Sequence, residues 1–169
     1  MLQKIILKTG SVVLGMIGFW SCAMADDLPD PILTPGAINT AVTQQNLHQT
    51  VCVKGYSKTI RPPVSYTNPL KRQQIREYGY VNTNMRDYEE DHLIALSIGG
   101  NPTDPKNLWP EPRNAKWGAA KKDQLEYALY KKVCAGEVSL VTAQKAMSGD
   151  WIKAWQQYAS PNNPSWSTY

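Results

Sequence analysis

Asp91 and His92 stand side by side in Tyr88-Glu89-Glu90-Asp91-His92-Leu93-Ile94, where a polar run meets an apolar one. Neighbouring side chains of an extended chain point to opposite sides. The carboxylate can therefore ligate a hard cation while the imidazole accepts a proton. A divalent cation beside a base is the minimum equipment for metal-assisted hydrolysis. Asp87, Glu89, Glu90 and Asp91 crowd into five positions. Such a concentration repels a polyanion unless a cation or arginines neutralise it. It supports a metal at Asp91 and leaves the role of Glu90 open.

These residues need a scaffold. Gly99-Gly100-Asn101-Pro102 forces a tight reversal, because glycine tolerates positive φ and proline fixes its own. Asn107 then opens a short apolar piece, Leu108-Trp109, that Pro110 and Pro112 are expected to stop from extending. The clearest helix spans Trp117 to Val133. Leu125, Leu129 and Val133 recur along it at four-residue spacing, and Lys121, Lys122, Lys131 and Lys132 are assigned to its other faces. Ser139 caps a helix over Leu140–Met147. A last helix from Asp150 to Tyr158 gathers Trp151, Ile152, Trp155 and Tyr158 on one side.

Upstream, Thr43 caps a short helix reaching Val51. His48 on it reads as a surface residue. Val51 to Tyr66 is rich in β-branched residues and reads as extended, with Pro62-Pro63 confining it to an edge or a polyproline stretch. Asn68-Pro69 then supplies cap and first residue of a helix over Pro69–Tyr78, ended by Gly79. Its Lys71, Arg72 and Arg76 could present a basic face to phosphate. Arg113 and Lys116, just past the motif, are candidates to contact the scissile or adjacent phosphates.

Asp91-His92-Leu93-Ile94, Gly99-Gly100, Asn107-Leu108 and the stretch from Asn114 into the following helix resemble the HNH endonucleases, the His-Me finger or ββα-metal superfamily. The core of the resemblance covers residues 87–126. The segments Cys-Val-Lys-Gly-Tyr and Arg-Pro-Pro-Val-Ser-Tyr-Thr ahead of it are similar to those of small secreted bacterial proteins built around such a motif. The resemblance implies a hairpin and a helix clasping one divalent cation, with His92 as general base and Asn107 bracing the loop that carries it. It also implies Asp91 plus a residue near the helix start as metal ligands. Many members have His at that last position. This chain has none after His92, and Asn114 stands in, with Asp123 and Glu126 in reserve. Oxygen donors and so few histidines favour Mg²⁺, with Mn²⁺ or Ca²⁺ as alternatives, over zinc.

The chain has 169 residues. Lys4 and Lys8, the apolar run Ser11 to Trp20 and Ala23-Met24-Ala25 make residues 1–25 a predicted signal peptide. A lipid anchor at Cys22 is the alternative, which Phe19-Trp20-Ser21 fits poorly. Removing those two lysines leaves 16 basic residues against 14 acidic, a net charge of +2. Any nucleic-acid affinity must then come from local clustering. The two cysteines that remain, Cys52 and Cys134, read as a disulfide in an exported protein.

The expected organisation is an irregular arm over residues 26–42, an HNH-like domain over 43–159 and a flexible tail over 160–169. The expected fold class is α+β, a ββα-metal motif in mainly helical surroundings. The expected function is an exported, periplasmic or secreted, metal-dependent endonuclease that cuts DNA with little sequence preference. It is expected to act as a monomer with no membrane span, and a partner protein could restrain it before export. A disulfide-braced envelope protein that uses the same scaffold only for binding is the non-enzymatic alternative. Another phosphate ester as substrate is a third reading.

Overall fold

The computed structural model describes residues 28–161; the predicted signal peptide, Cys22 and positions 162–169 lie outside them. The architecture is α+β: five α-helices, several 3-10 turns and one two-stranded sheet among the described residues. The helices are α1 (Tyr56–Ile60), α2 (Val64–Glu77), α3 (Ala119–Cys134), α4 (Leu140–Ser148) and α5 (Trp151–Tyr158). Strands β1 (Tyr88–His92) and β2 (Leu108–Pro112) lie between α2 and α3.

The strands pair antiparallel, with Asp91 opposite Trp109 and His92 opposite Leu108. Pro110 and Pro112 do not stop β2, contrary to expectation. The ladder is flanked by Leu93 N–H donating to Asn107 O and Arg113 N–H donating to Asp87 O. Those bonds mark odd-numbered residues as the hydrogen-bonded pairs. Both prolines therefore fall at positions whose nitrogen faces away from the partner strand, where a missing N–H costs nothing.

Alternation sorts the side chains of the hairpin. Tyr88, Glu90 and His92 share one face, and Glu89, Asp91, Trp109 and Glu111 the other. Tyr88 packs with Ile75 of α2 and stacks on Tyr80. Trp109 joins the main core with Leu125, Leu129 and Val133 of α3, Met147 of α4 and Trp151 and Trp155 of α5. Trp117 meets Trp151 and Trp155 edge-on. The expected aromatic side of α5 is thus a core face, started by Asp150, whose carboxylate accepts from Lys153 N–H.

Val51 to Tyr66 is not extended. Thr59 and Ile60 lie in α1, and Val64 opens α2 behind Pro63. The β-branched residues argued for a strand, but no partner strand is present among the described residues to receive it. Pro62-Pro63 instead forms a stiff joint between two helices. Asn68-Pro69 consequently lies inside α2 rather than at its start. The helix does end where Gly79 takes a left-handed φ of 66°. Thr43 begins a 3-10 turn, Gln44–Gln49, with its own N–H bonded to the Asn46 side chain.

Cys52 and Cys134 form a disulfide with Cα atoms 5.6 Å apart. It joins the segment before α1 to the last residue of α3, across a separation of 82 residues. A loop of that length stabilises by about 4–5 kcal/mol in the chain-entropy account.

Candidate active site

The loop from Leu93 to Asn107 is braced from inside by the Asn107 side chain and from outside by Gln144 and Tyr66, which donate to Ile98 O and Thr103 O. Asn107 is wholly buried and ends the 3-10 turn Pro105–Asn107, which Asp104 caps by accepting from Lys106 N–H. Its Oδ1 accepts from Ile94 N–H at 2.9 Å, and its Nδ2 donates to Ile94 O and to Asn101 O, both at 3.0 Å. The reversal leaves no room for a side chain at Gly100, where a Cβ would lie 1.7 Å from Ile94 O. Gly99 beside it has a φ of 78°. The arm closes over the same loop: Asn39 N–H donates to Gly99 O, Asn101 N–H to Ala37 O and Gly36 N–H to Lys106 O.

His92 ends β1 with 2% of its surface exposed. Its Nε2 lies 3.0 Å from Pro102 O. A carbonyl oxygen can only accept, so Nε2 carries the proton and Nδ1 keeps its lone pair. Nδ1 is buried and has no hydrogen-bond partner. Burial holds His92 below the ordinary imidazole range, against the carbonyl of Pro102 and the charge of Asp91, which pull the other way. The ring is therefore a neutral base with its acceptor nitrogen fixed.

Asp91 faces α3. There Lys122, wholly buried, donates to Asp91 Oδ2 and to Glu126 Oε1 and lies 3.5 Å from Glu111 Oε2. Burial opposes ionisation of Asp91, but the Lys122 ammonium outweighs it and holds the carboxyl down at about 2. One ammonium does not satisfy every carboxylate. Burial raises Glu111 well above its usual range and Glu126 to about 7, with Asp91 adding repulsion in both cases. Asp123 is raised as well, first by burial and then by Asp91.

Carboxylate oxygens of Asp91, Asp123 and Glu126 all come within 4.8 Å of one another. Two of these residues are the reserve ligands of the sequence reading. Asn114 is exposed in the loop before α3. Lys122, assigned to the polar side of α3, is instead its most deeply buried charge.

The basic candidates are distributed differently from the expectation of one phosphate face. Lys71 Nζ donates to Met85 O and Tyr88 O, bracing the start of β1. Arg113 pairs with Glu89 at 2.7 Å. Arg72, Arg76 and Lys116 are exposed. His48 is exposed too, away from these groups on the first 3-10 turn.

Glu90, on the opposite face from Asp91, has both carboxylate oxygens buried without a hydrogen bond, and burial pushes it up to about 8. Comparison with family models, with curated proteins and with solved structures gave no match.

Proposed function

We propose that the chain is a metal-dependent endonuclease of the HNH type that hydrolyses phosphodiester bonds in DNA, with His92 as general base. The observation that carries this reading is the imidazole itself. It is neutral, its tautomer is fixed by Pro102, and its free nitrogen is next in sequence to a carboxylate that belongs to a three-acid group. Structural histidines generally satisfy both ring nitrogens when buried. A base must keep one open.

The donor chemistry fits a hard divalent cation. Asp91, Asp123 and Glu126 supply only oxygens. Asp91, Glu111 and Glu126 share one ammonium, that of Lys122, so the cluster is short of positive charge. Asp91 and Asp123 would hold Mg²⁺ or Mn²⁺, with Glu126 completing the set or bonding Lys122. Bound there, such an ion stabilises negative charge building on a phosphoryl oxygen. Lys122 keeps Asp91 ionised and oriented. Asn107 holds the loop, so that Pro102 stays on His92 Nε2 and the base stays in one tautomer. His92 Nδ1 takes the proton of the attacking water. Asn114 and Lys116 are exposed in the loop before α3, where they would meet substrate.

The disulfide supports a site of action outside the reducing cytoplasm, in the periplasm or beyond. No helix among the described residues is long and apolar enough to cross a membrane. A restraining protein inside the producing cell would follow from the same reading.

The buried Lys122 also favours a second reading. If that ammonium is the permanent counter-ion of the cluster, the scaffold binds without cutting. Incubation of the oxidised protein with supercoiled plasmid in Mg²⁺, Mn²⁺ or EDTA separates the two. The nuclease reading expects nicking that EDTA abolishes and that Asp123→Asn reduces by about 100-fold or more, the scale of losing charge stabilisation at a transition state. Plasmid left intact in every metal rejects it.

A further inference from the structure

We propose that the exposed basic ridge Lys54–Lys58–Arg61, running along α1 toward His92, is the track on which a nucleic-acid strand lays the phosphates flanking the cut bond. The inference deepens the nuclease reading and rests on it for the position of the cut.

Three observations carry it. Lys54 and Lys58 are exposed and line one depression with Val53 and Tyr56, so the two side chains share a common surface. Lys58 and Arg61 are three residues apart at the end of α1, a spacing that places side chains on adjacent turns of one face. Helix α1 rests on the 3-10 turn Leu96–Ile98, a few residues beyond His92 in the loop that Asn107 braces. The ridge therefore leads to the loop that carries the base.

Arg61 is its inner end. The Arg61-Pro62-Pro63 backbone is extended and stiff, with φ of −63° at Arg61 and −70° at Pro63. The guanidinium makes no hydrogen bond or ion pair among the described residues. Its charge is nevertheless felt by both His92 and Asp123. The other cations near the cluster are committed elsewhere: Lys122 to carboxylates, Lys71 to carbonyls and Arg113 to Glu89. A free guanidinium near both a base and a carboxylate group suits a phosphate, which it can grip through two parallel N–H groups. Lys54 and Lys58 continue the positive charge outward, and the Tyr56 ring beside them offers a surface for a base.

The test is binding rather than cleavage. In the oxidised chain carrying His92→Ala, affinity for a fluorescein-labelled DNA oligonucleotide is measured from 50 to 200 mM salt. Each lost phosphate contact lowers the slope of log K against log salt by about 0.7–0.9. Lys58→Gln with Arg61→Gln is expected to weaken binding about 10-fold or more and to lower the slope by about 1.4–1.8. Lys145→Gln with Lys153→Gln removes the same charge from exposed positions on α4 and α5 and is expected to leave the slope at its parent value. Lys58→Arg with Arg61→Lys, which keeps the charge, is expected to keep the slope. Equal losses in the Lys58/Arg61 and Lys145/Lys153 variants, or none in either, overturn the proposal. A protein that binds through this ridge yet leaves DNA uncut supports the track and counts against the nuclease. A protein that cuts DNA with an unchanged slope in the α1 variant overturns the track alone. A chain with no measurable affinity for DNA overturns both.

Discussion

Lys122, one turn into α3, donates to Oδ2 of Asp91 on β1, so strand and helix are joined by a buried charge pair at the centre of the candidate site. Glu126 one turn further on accepts from the same ammonium, and Glu111 lies beside it. The cluster is held together by a single cation.

Removing that cation strands several acids. Lys122→Met is expected to destabilise the fold by about 3–5 kcal/mol at neutral pH, the usual cost of leaving buried charge unpaired. Lys122 lowers the pKa of both Glu111 and Glu126, so without it they protonate more readily and the deficit shrinks as pH falls. Chemical denaturation of both proteins at pH 5 and pH 8 measures it.

Asn107 accepts from Ile94 N–H and Ala37 N–H and donates two further bonds at once. Asn107→Asp keeps the shape but deprives Ile94 O and Asn101 O of their donor and faces them with a carboxylate. Each buried group left unsatisfied costs about 1–3 kcal/mol. The expected result is a lower melting temperature and faster amide exchange across residues 93–107, read by hydrogen exchange.

Glu90 gives a pH signature of the fold that is separate from the Lys122 cluster. Burial raises its folded-state pKa to about 8, so the unfolded chain gives up the proton first. The associated stability is complete below the ordinary carboxyl range near 4.5 and is lost as pH rises through 8. Glu90→Gln is expected to gain about 1–3 kcal/mol at pH 8. At pH 4 it should match the parent in the same denaturation experiment.

The disulfide closes most of the described domain. Reduction, or Cys52→Ser with Cys134→Ser, is expected to lower stability by up to about 4–5 kcal/mol. The change should appear as a lower denaturation midpoint, and far-UV circular dichroism of the protein that remains folded should be unchanged.

Much of this arrangement was legible in the residues. Two lone cysteines gave the disulfide, Gly99-Gly100 gave the reversal, and the apolar spacing of α3 gave the helix whose stripe joins the main core. Local chemistry decides such features. The stretch from Val51 to Tyr66 misled because β-branched side chains favour strands only where a partner strand exists, and pairing is a tertiary fact. The prolines of β2 misled because their tolerance depends on register, which one strand alone does not reveal. Lys122 could have been found. It stands three residues before Leu125 and seven before Leu129, in phase with the buried stripe of α3 rather than opposite it. A lysine in that phase requires acids nearby, and Asp123 and Glu126 were already in view as spare ligands. Arg61 left no such signal, since its place near His92 depends on α1 folding where a strand was expected.

The most direct measurement of the central claim is the cleavage rate of supercoiled plasmid in Mg²⁺ by the oxidised protein and by His92→Ala, followed from pH 5 to pH 9. General-base catalysis predicts about a 100- to 10,000-fold loss in the variant. The acid limb of the parent is expected to have its midpoint below 6.5, because burial keeps the imidazole neutral to lower pH. Equal rates for the two proteins, or plasmid untouched by the parent at every pH, would contradict it.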